Sequence, residues 1–135
     1  MTVSAKWDNS EQNRVIIVFQ HPWTWTEFDT ANTQLDSLFR SVSQRVDLIL
    51  DISGGGFPPG NAIPHFKRVS EKRHPNLGQI AVVGLPGFFR GTLNVIRSVY
   101  RGRYEAPDFI FYATLDKARD ELTRPVPNPP PKPLR

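Results

Sequence analysis

The chain has 135 residues, 39% hydrophobic and 22% charged, which is typical of one soluble domain with a single core. The absence of cysteine excludes disulfides, thiolate nucleophiles and thiolate metal sites. The apolar runs reach five or six residues, far short of a bilayer span, and no basic-then-apolar leader opens the sequence. We therefore expect a cytoplasmic protein without a membrane span.

The net charge of +4 is unevenly distributed. Residues 124–135 hold three of the 17 basic residues, none of the 13 acidic ones and six prolines. The rest of the chain is nearly neutral and lacks a clustered basic face, so nucleic acid is not an expected partner. We expect a folded domain over residues 1–123. The proline-rich segment 124–135 is expected to be a disordered tail, with a polyproline-type ligand as the alternative.

Alternating apolar residues predict strands at 3–8 (VSAKWD) and 14–20 (RVIIVFQ), joined as an antiparallel hairpin by a polar turn. Thr24 and Glu27 have the spacing of a capping box, which predicts the start of a helix. Six apolar residues at three-and-four spacing continue it and give one stripe to pack on the sheet: Phe28, Ala31, Leu35, Leu38, Phe39 and Val42.

The central prediction is a strand at Val46–Ile52, buried on both faces, followed by a Gly/Pro loop over residues 53–60 and a helix from Asn61. In open α/β sheets, ligands bind beyond the carboxyl ends of such strands, so this loop is the first candidate site.

Two further strands are predicted at 79–85 and 109–113. A third helix should begin near Phe88, and a fourth should cover Leu115–Leu122 with Thr114 as its N-cap. The order β-β-α-β-α-β-α-β-α predicts an α/β fold, with a mixed sheet of about five strands whose central strands are parallel and covered by helices.

The chemistry of the loop is not distinctive. Gly54, Gly55 and Gly56 could let an anion approach the backbone, but no nucleotide-binding motif is present, and a flexible connection explains them. Asp51 could serve as a base or bind a polar ligand, and the alternative is that it caps its own loop. No carboxylate partner is evident for His21, His65 or His74, so no metal site or cofactor is expected.

Aromatic residues give the clearer signal. Trp23 and Trp25 are two apart and cannot both face inward, so one should form a lip over a pocket or partner surface. Phe57 and Phe88 are expected near the same end of the sheet. Such a rim suits a protein or an apolar ligand better than a sugar phosphate. Arg90 and Arg97 share one helix face, which is either simply solvated or docks an acidic partner or lipid head group.

The element order resembles the STAS family, and the segments Trp23–Phe28, Leu50–Gly54 and 114–122 (TLDKARDEL) resemble its SpoIIAA-like branch, the anti-sigma-factor antagonists. The resemblance implies a regulatory module whose switch is a phosphorylated serine at the start of the second helix. Gly60 or Asn61 occupies that position and neither can accept phosphate, which leaves Ser53 as the substitute acceptor.

We therefore predict a non-catalytic regulatory or protein-interaction module that binds a protein partner or a second copy of itself. The alternative is a carrier or sensor for a small apolar or lipid-like ligand, since some SpoIIAA-like domains resemble lipid-transfer folds. An enzyme using His21, Asp51 and His65 ranks third. The predicted binding residues are Trp23, Trp25, Asp51, Ser53, Gly54, Gly55, Gly56, Phe57, Asn61, Phe88, Arg90 and Arg97.

Overall fold

The structure is a computed structural model that describes residues 2–56, 60, 64–65, 74–84 and 109–123. The predicted helices from Asn61 and Phe88 and the tail at 124–135 lie outside this part of the chain, apart from Pro64 and His65, which are helical. None of the described helices is both long and apolar enough to cross a membrane.

Five strands form one mixed sheet. They are β1 (Val3–Trp7), β2 (Arg14–Gln20), β3 (Val46–Gly54), β4 (Leu77–Val83) and β5 (Phe109–Tyr112), and their order in the sheet is the order in the chain. β1 pairs antiparallel with β2, and all other neighbours are parallel. The predicted hairpin, the central position of β3 and the mixed sheet are thus confirmed. Because the described strands never reverse their order, they do not form the switch-point crevice used by many α/β proteins.

Helix α1 (Trp25–Arg40) begins as predicted. The Thr24 hydroxyl accepts a hydrogen bond from the Glu27 amide at 3.2 Å, and the Glu27 carboxylate accepts one from the Thr24 amide at 3.1 Å. Helix α2 (Leu115–Thr123) is capped by Thr114, whose hydroxyl accepts from the Lys117 amide at 3.2 Å. Both caps satisfy amides that have no partner inside the helix.

The core has two parts, one on each face of the sheet. α1 buries Phe28, Ala31, Leu35 and Phe39 against one face. α2 buries Ala118 against the other face, where it meets side chains of the three middle strands: Ile16, Ile49, Ala81 and Val83. β3 contributes to both clusters, since Leu48 lies in the first and Ile49 in the second. The prediction that this strand is buried on both faces therefore holds for its first half, while Ser53 and Gly54 at its end are exposed.

A buried carboxylate fastens α2 to the opening hairpin. The Asp8 side chain is 3% exposed and accepts hydrogen bonds from Arg14 Nε at 2.7 Å and from Arg119 Nη2 at 2.6 Å. Arg14 also donates to the Thr123 hydroxyl at 3.0 Å. The hydrogen bond to Asp8 raises the pKa of Arg119 above its ordinary value, so this guanidinium stays charged.

Candidate functional site

Asp51 and Ser53 form a tight turn at the end of β3. Asp51 Oδ1 accepts from the Ser53 amide at 3.2 Å and from the Ser53 hydroxyl at 2.5 Å. The interpretation of Asp51 as a cap for its own loop is thus confirmed. Ser53 is exposed, but a phosphate on its hydroxyl would lie beside the Asp51 carboxylate, where like charges repel.

Close packing explains the glycines of this loop. A Cβ atom on Gly55 would lie 2.9 Å from Phe19 Cβ, and one on Gly56 would lie 2.9 Å from His21 Nδ1. Gly56 also has a φ of +63°, which favours glycine. Positions 55 and 56 therefore need glycine so that the loop can fit against the end of β2. This requirement is separate from any flexibility that glycine gives the backbone.

A third glycine brings the next strand close to the same turn. Gly84 follows β4 with a φ of +72°, and a Cβ there would lie 2.5 Å from Ser53 Cβ. The Gly84 amide donates to the Tyr112 carbonyl at 3.0 Å. Burial, with a smaller contribution from Glu121, raises the pKa of the Tyr112 phenol, so this side chain is neutral over the ordinary pH range.

Trp23 and Trp25 hold the loop at two points. Trp23 is buried, packs edge-on against Phe19 with ring centres 4.9 Å apart, and donates from Nε1 to the Gly55 carbonyl at 3.0 Å. Trp25 is half-buried and donates from Nε1 to the Gly60 carbonyl at 2.6 Å. Trp23 thus faces inward and Trp25 lies nearer the surface, where it anchors the loop through Gly60. That one tryptophan forms a lip over a pocket or partner surface stays a prediction.

His65 completes the contact with Trp25. Its imidazole stacks on the indole with ring centres 4.2 Å apart and planes 5° apart. Trp23 meets the same indole edge-on, with centres 4.9 Å apart. Trp25 is therefore packed between the rings of His65 and Trp23.

We call this region the carboxyl-end surface, because it lies where β2 and β3 end. Its exposed or half-buried members include His21, Pro22, Trp25, Ser53, Gly54, Gly56, Gly60, Pro64 and His65. They come from two stretches without Lys, Arg, Asp or Glu, residues 15–26 and 52–66, in a chain that is 22% charged. The predicted binding residues did not include Pro22 or Pro64, and the absence of charge from both stretches was the signal that could have found them.

The histidines do not converge on one site. His21 lies against Gly56, His65 stacks on Trp25, and His74 lies near the opposite end of the sheet. The expectation that no histidine has a carboxylate partner is wrong for His74, whose Nε2 lies 2.9 Å from Asp36 Oδ1. The two residues are 38 positions apart in sequence, so no short motif could reveal the pair. Within the described ranges, no three His, Asp or Glu side chains are grouped to hold a metal ion.

An open groove lies at the far end of the sheet, beside the end of α1. Phe39, Val42 and Leu77 contribute apolar lining, and Arg40 and Arg45 lie among its charged residues. The Asn76 amide at this groove donates to the Phe39 carbonyl at 3.1 Å, so it closes the end of the helix. The described contacts of this groove have a structural role, because they hold the end of α1 in place.

Five of the predicted site residues lie outside the described part of the chain: Phe57, Asn61, Phe88, Arg90 and Arg97. The structure does place Trp23, Trp25, Gly54, Gly55 and Gly56 at the carboxyl-end surface. Asp51 lies beside this surface and Ser53 belongs to it, both at the carboxyl end of β3.

No protein-family profile, curated protein or solved structure matches this chain. The case for its function therefore rests on its own residues.

Proposed function

We propose that this chain is a non-catalytic regulatory or protein-interaction module of the SpoIIAA-like type, without a serine phosphoswitch, and that it binds its protein partner through the carboxyl-end surface. The mixed five-stranded sheet and the Asp51–Ser53 turn are compatible with that family. The enclosed position of Trp25 and the separate positions of the histidines favour binding over catalysis.

The observation that carries the proposal is the absence of Lys, Arg, Asp and Glu from the two stretches that form this surface, with the neighbouring Asp51 carboxylate engaged by Ser53. The cores of protein interfaces are depleted in charged residues and enriched in aromatic ones, because desolvating a charge is costly. The two uncharged stretches are joined through the indole N–H groups of Trp23 and Trp25, whose hydrogen bonds span 32 and 35 positions of the chain. The loop is thereby held in place before a partner arrives, which lowers the entropy cost of binding.

Gly60 offers a clean test. It is exposed, and a Cβ atom added to it meets nothing within 4 Å, so Gly60→Arg places a charge on the carboxyl-end surface without a clash. Its carbonyl can still accept from Trp25. The matched control is Ser10→Arg, at an exposed position in the β1–β2 turn. Wild type and both variants serve as baits in lysate of the native host, with quantitative mass spectrometry of the captured proteins.

We expect a protein captured by wild type and Ser10→Arg that is lost with Gly60→Arg. If no captured protein distinguishes Gly60→Arg from wild type, the proposed surface is wrong. The carrier alternative is tested by native mass spectrometry of protein purified from the host. A mass excess that disappears on denaturation would support a bound small molecule in place of a protein partner.

A further inference from the structure

The outward face of α1 carries an unusual set of side chains. The helix has six exposed residues, and they fall on one stripe about 100° wide: Thr26, Asp29, Thr30, Thr33, Ser37 and Arg40. Solvent-exposed helix faces are usually rich in strong helix formers such as Lys, Glu and Gln, whereas threonine is a weak one. Helix propensity therefore does not explain this choice of residues.

Three of the four hydroxyl groups of the stripe are turned back to the helix. Thr30 donates to the Thr26 carbonyl at 3.1 Å, Thr33 to the Asp29 carbonyl at 3.2 Å, and Ser37 to the Thr33 carbonyl at 3.3 Å. Because these three hydroxyl protons are used within the helix, covering Thr30, Thr33 and Ser37 would leave none of them without an acceptor. The centre of the stripe is thus small, uncharged and inexpensive to bury.

The two charges of the stripe lie towards opposite ends of it. Asp29 is about one turn from the start of the helix, and Arg40 is its last residue. If a second α1 packs antiparallel about a two-fold axis beside residue 35, Thr33 of one copy faces the partner's Ser37. Asp29 then lies within about one residue, or 1.5 Å along the axis, of the partner's Arg40. The same pairing occurs twice by symmetry.

We propose that the outward stripe of α1 is a self-complementary surface that binds a second copy of this chain, with the two helices antiparallel. The Asp29–Arg40 pairs fix the register, and the small central residues allow the helices to approach closely. The inference does not rest on the proposed function, because none of the six stripe residues belongs to the carboxyl-end surface. The stripe is about 21 Å long from Thr26 to Arg40, so its area is smaller than that of a standard interface and the dimer should be weak and dependent on concentration.

Sedimentation velocity of the full chain over a concentration series tests the proposal. We expect a reversible monomer–dimer equilibrium. Asp29→Arg and Arg40→Asp should each weaken it by at least about tenfold, because each variant places like charges together at both pairs. An equimolar mixture of these two variants should dimerise again, since Arg at 29 then meets Asp at 40 in one pair and the reverse charges meet in the other. Ser10→Arg is the control and should behave as wild type.

Spin labels give the orientation, because the chain has no native cysteine and each introduced one is unique. In the antiparallel dimer, labels at Ser37→Cys are about 6 Å apart along the axis and labels at Thr26→Cys about 27 Å apart. Parallel helices would give similar separations at both sites. A wild type that remains monomeric at the highest soluble concentration, a dimer unaffected by either charge substitution, or equal label distances would each overturn the proposal.

Discussion

The two ends of the sheet are fastened by different chemistry. At the amino ends of the parallel strands, the buried Asp8 carboxylate joins Arg14 and Arg119, so charges bind the hairpin to the last helix. At the carboxyl ends, Trp23 and Trp25 hold the loop through single hydrogen bonds from their indole N–H groups. The contact between the hairpin and α2 is thus an ion pair, whereas the contacts of Trp23 and Trp25 with the loop carry no charge.

If the carboxyl-end surface binds a partner as proposed, this difference keeps ion pairs away from the binding surface. An indole N–H satisfies a loop carbonyl while its ring adds apolar area, so the loop is ordered without placing a charge at the surface. At the amino ends of the strands, the charged groups of Asp8, Arg14 and Arg119 also hold the chain in place, but such groups bind water strongly. The following predictions test whether the two ends differ in strength and in kind.

Removing the buried carboxylate should have the largest effect. Asp8→Ala leaves Arg14 and Arg119 without their shared acceptor. We expect a loss of about 2–4 kcal/mol in the free energy of unfolding, somewhat below the usual cost because Arg119 is 41% exposed and can be rehydrated. Urea denaturation measures the loss. Glu11→Ala, at an exposed turn position, is the control and should change stability by less than about 0.5 kcal/mol. Equal effects of the two substitutions would contradict the structural role of Asp8.

Gly84→Ala tests the close approach between β4 and the Ser53 turn. The new methyl group would clash with Ser53, and the left-handed backbone at φ +72° disfavours alanine. Together these effects should cost about 2–3 kcal/mol by urea denaturation. Gly60→Ala has open space and no positive φ, so it should be neutral or stabilising by up to about 1 kcal/mol. A tolerated Gly84→Ala would mean that β4 and the turn can separate.

Trp23→Phe measures the indole hydrogen bond at the carboxyl end. It leaves the Gly55 carbonyl without its buried donor while keeping an aromatic ring in the core. Trp7→Phe makes the same ring truncation in the same cluster, away from the loop. We expect Trp23→Phe to cost about 1–2 kcal/mol more than Trp7→Phe in thermal or urea unfolding. The absence of any difference would show that Trp23 acts only by packing.

The smallest effect concerns an acid at the start of α1. Hydrogen bonds from Thr2 and Thr24 lower the pKa of Glu27 below its ordinary 4.5, with the Thr2 hydroxyl as the main cause. Folding thus favours the charged form. Its contribution to stability is present above the ordinary pKa and is lost as the pH falls through the lower, folded-state pKa. Thr2→Val should raise the pKa of Glu27 in a carbon-13 NMR titration, whereas Thr26→Val should leave it unchanged.

Much of the fold follows from local patterns. The bounds of β2, the capping box at Thr24 and Glu27, and the Thr114 cap depend on residues a few positions apart, whose spacing is visible in the sequence. The apolar stripe of α1 likewise identifies its buried face. Such features depend on backbone geometry that the sequence imposes over one or two turns.

The contacts of the site could not be predicted in the same way. The pairs Asp8–Arg119 and Asp36–His74 join residues far apart in the chain, and many charges compete for each partner. The carbonyls that Trp23 and Trp25 bind are backbone groups, which carry no sequence signal. Trp23 and Trp25 were predicted to belong to the site, but their hydrogen bonds to Gly55 and Gly60 depend on the path of the backbone.

The sequential strand order also bears on how the chain acquires its structure during synthesis. Because the strands lie in the sheet in the order in which they leave the ribosome, each can add to an edge that already exists. The contact between Asp8 and Arg119 spans 111 positions and must wait until the last helix has emerged. Until that helix has emerged, Asp8 has Arg14 but not Arg119 as a partner, so the hairpin can form before the contact that fastens it to α2.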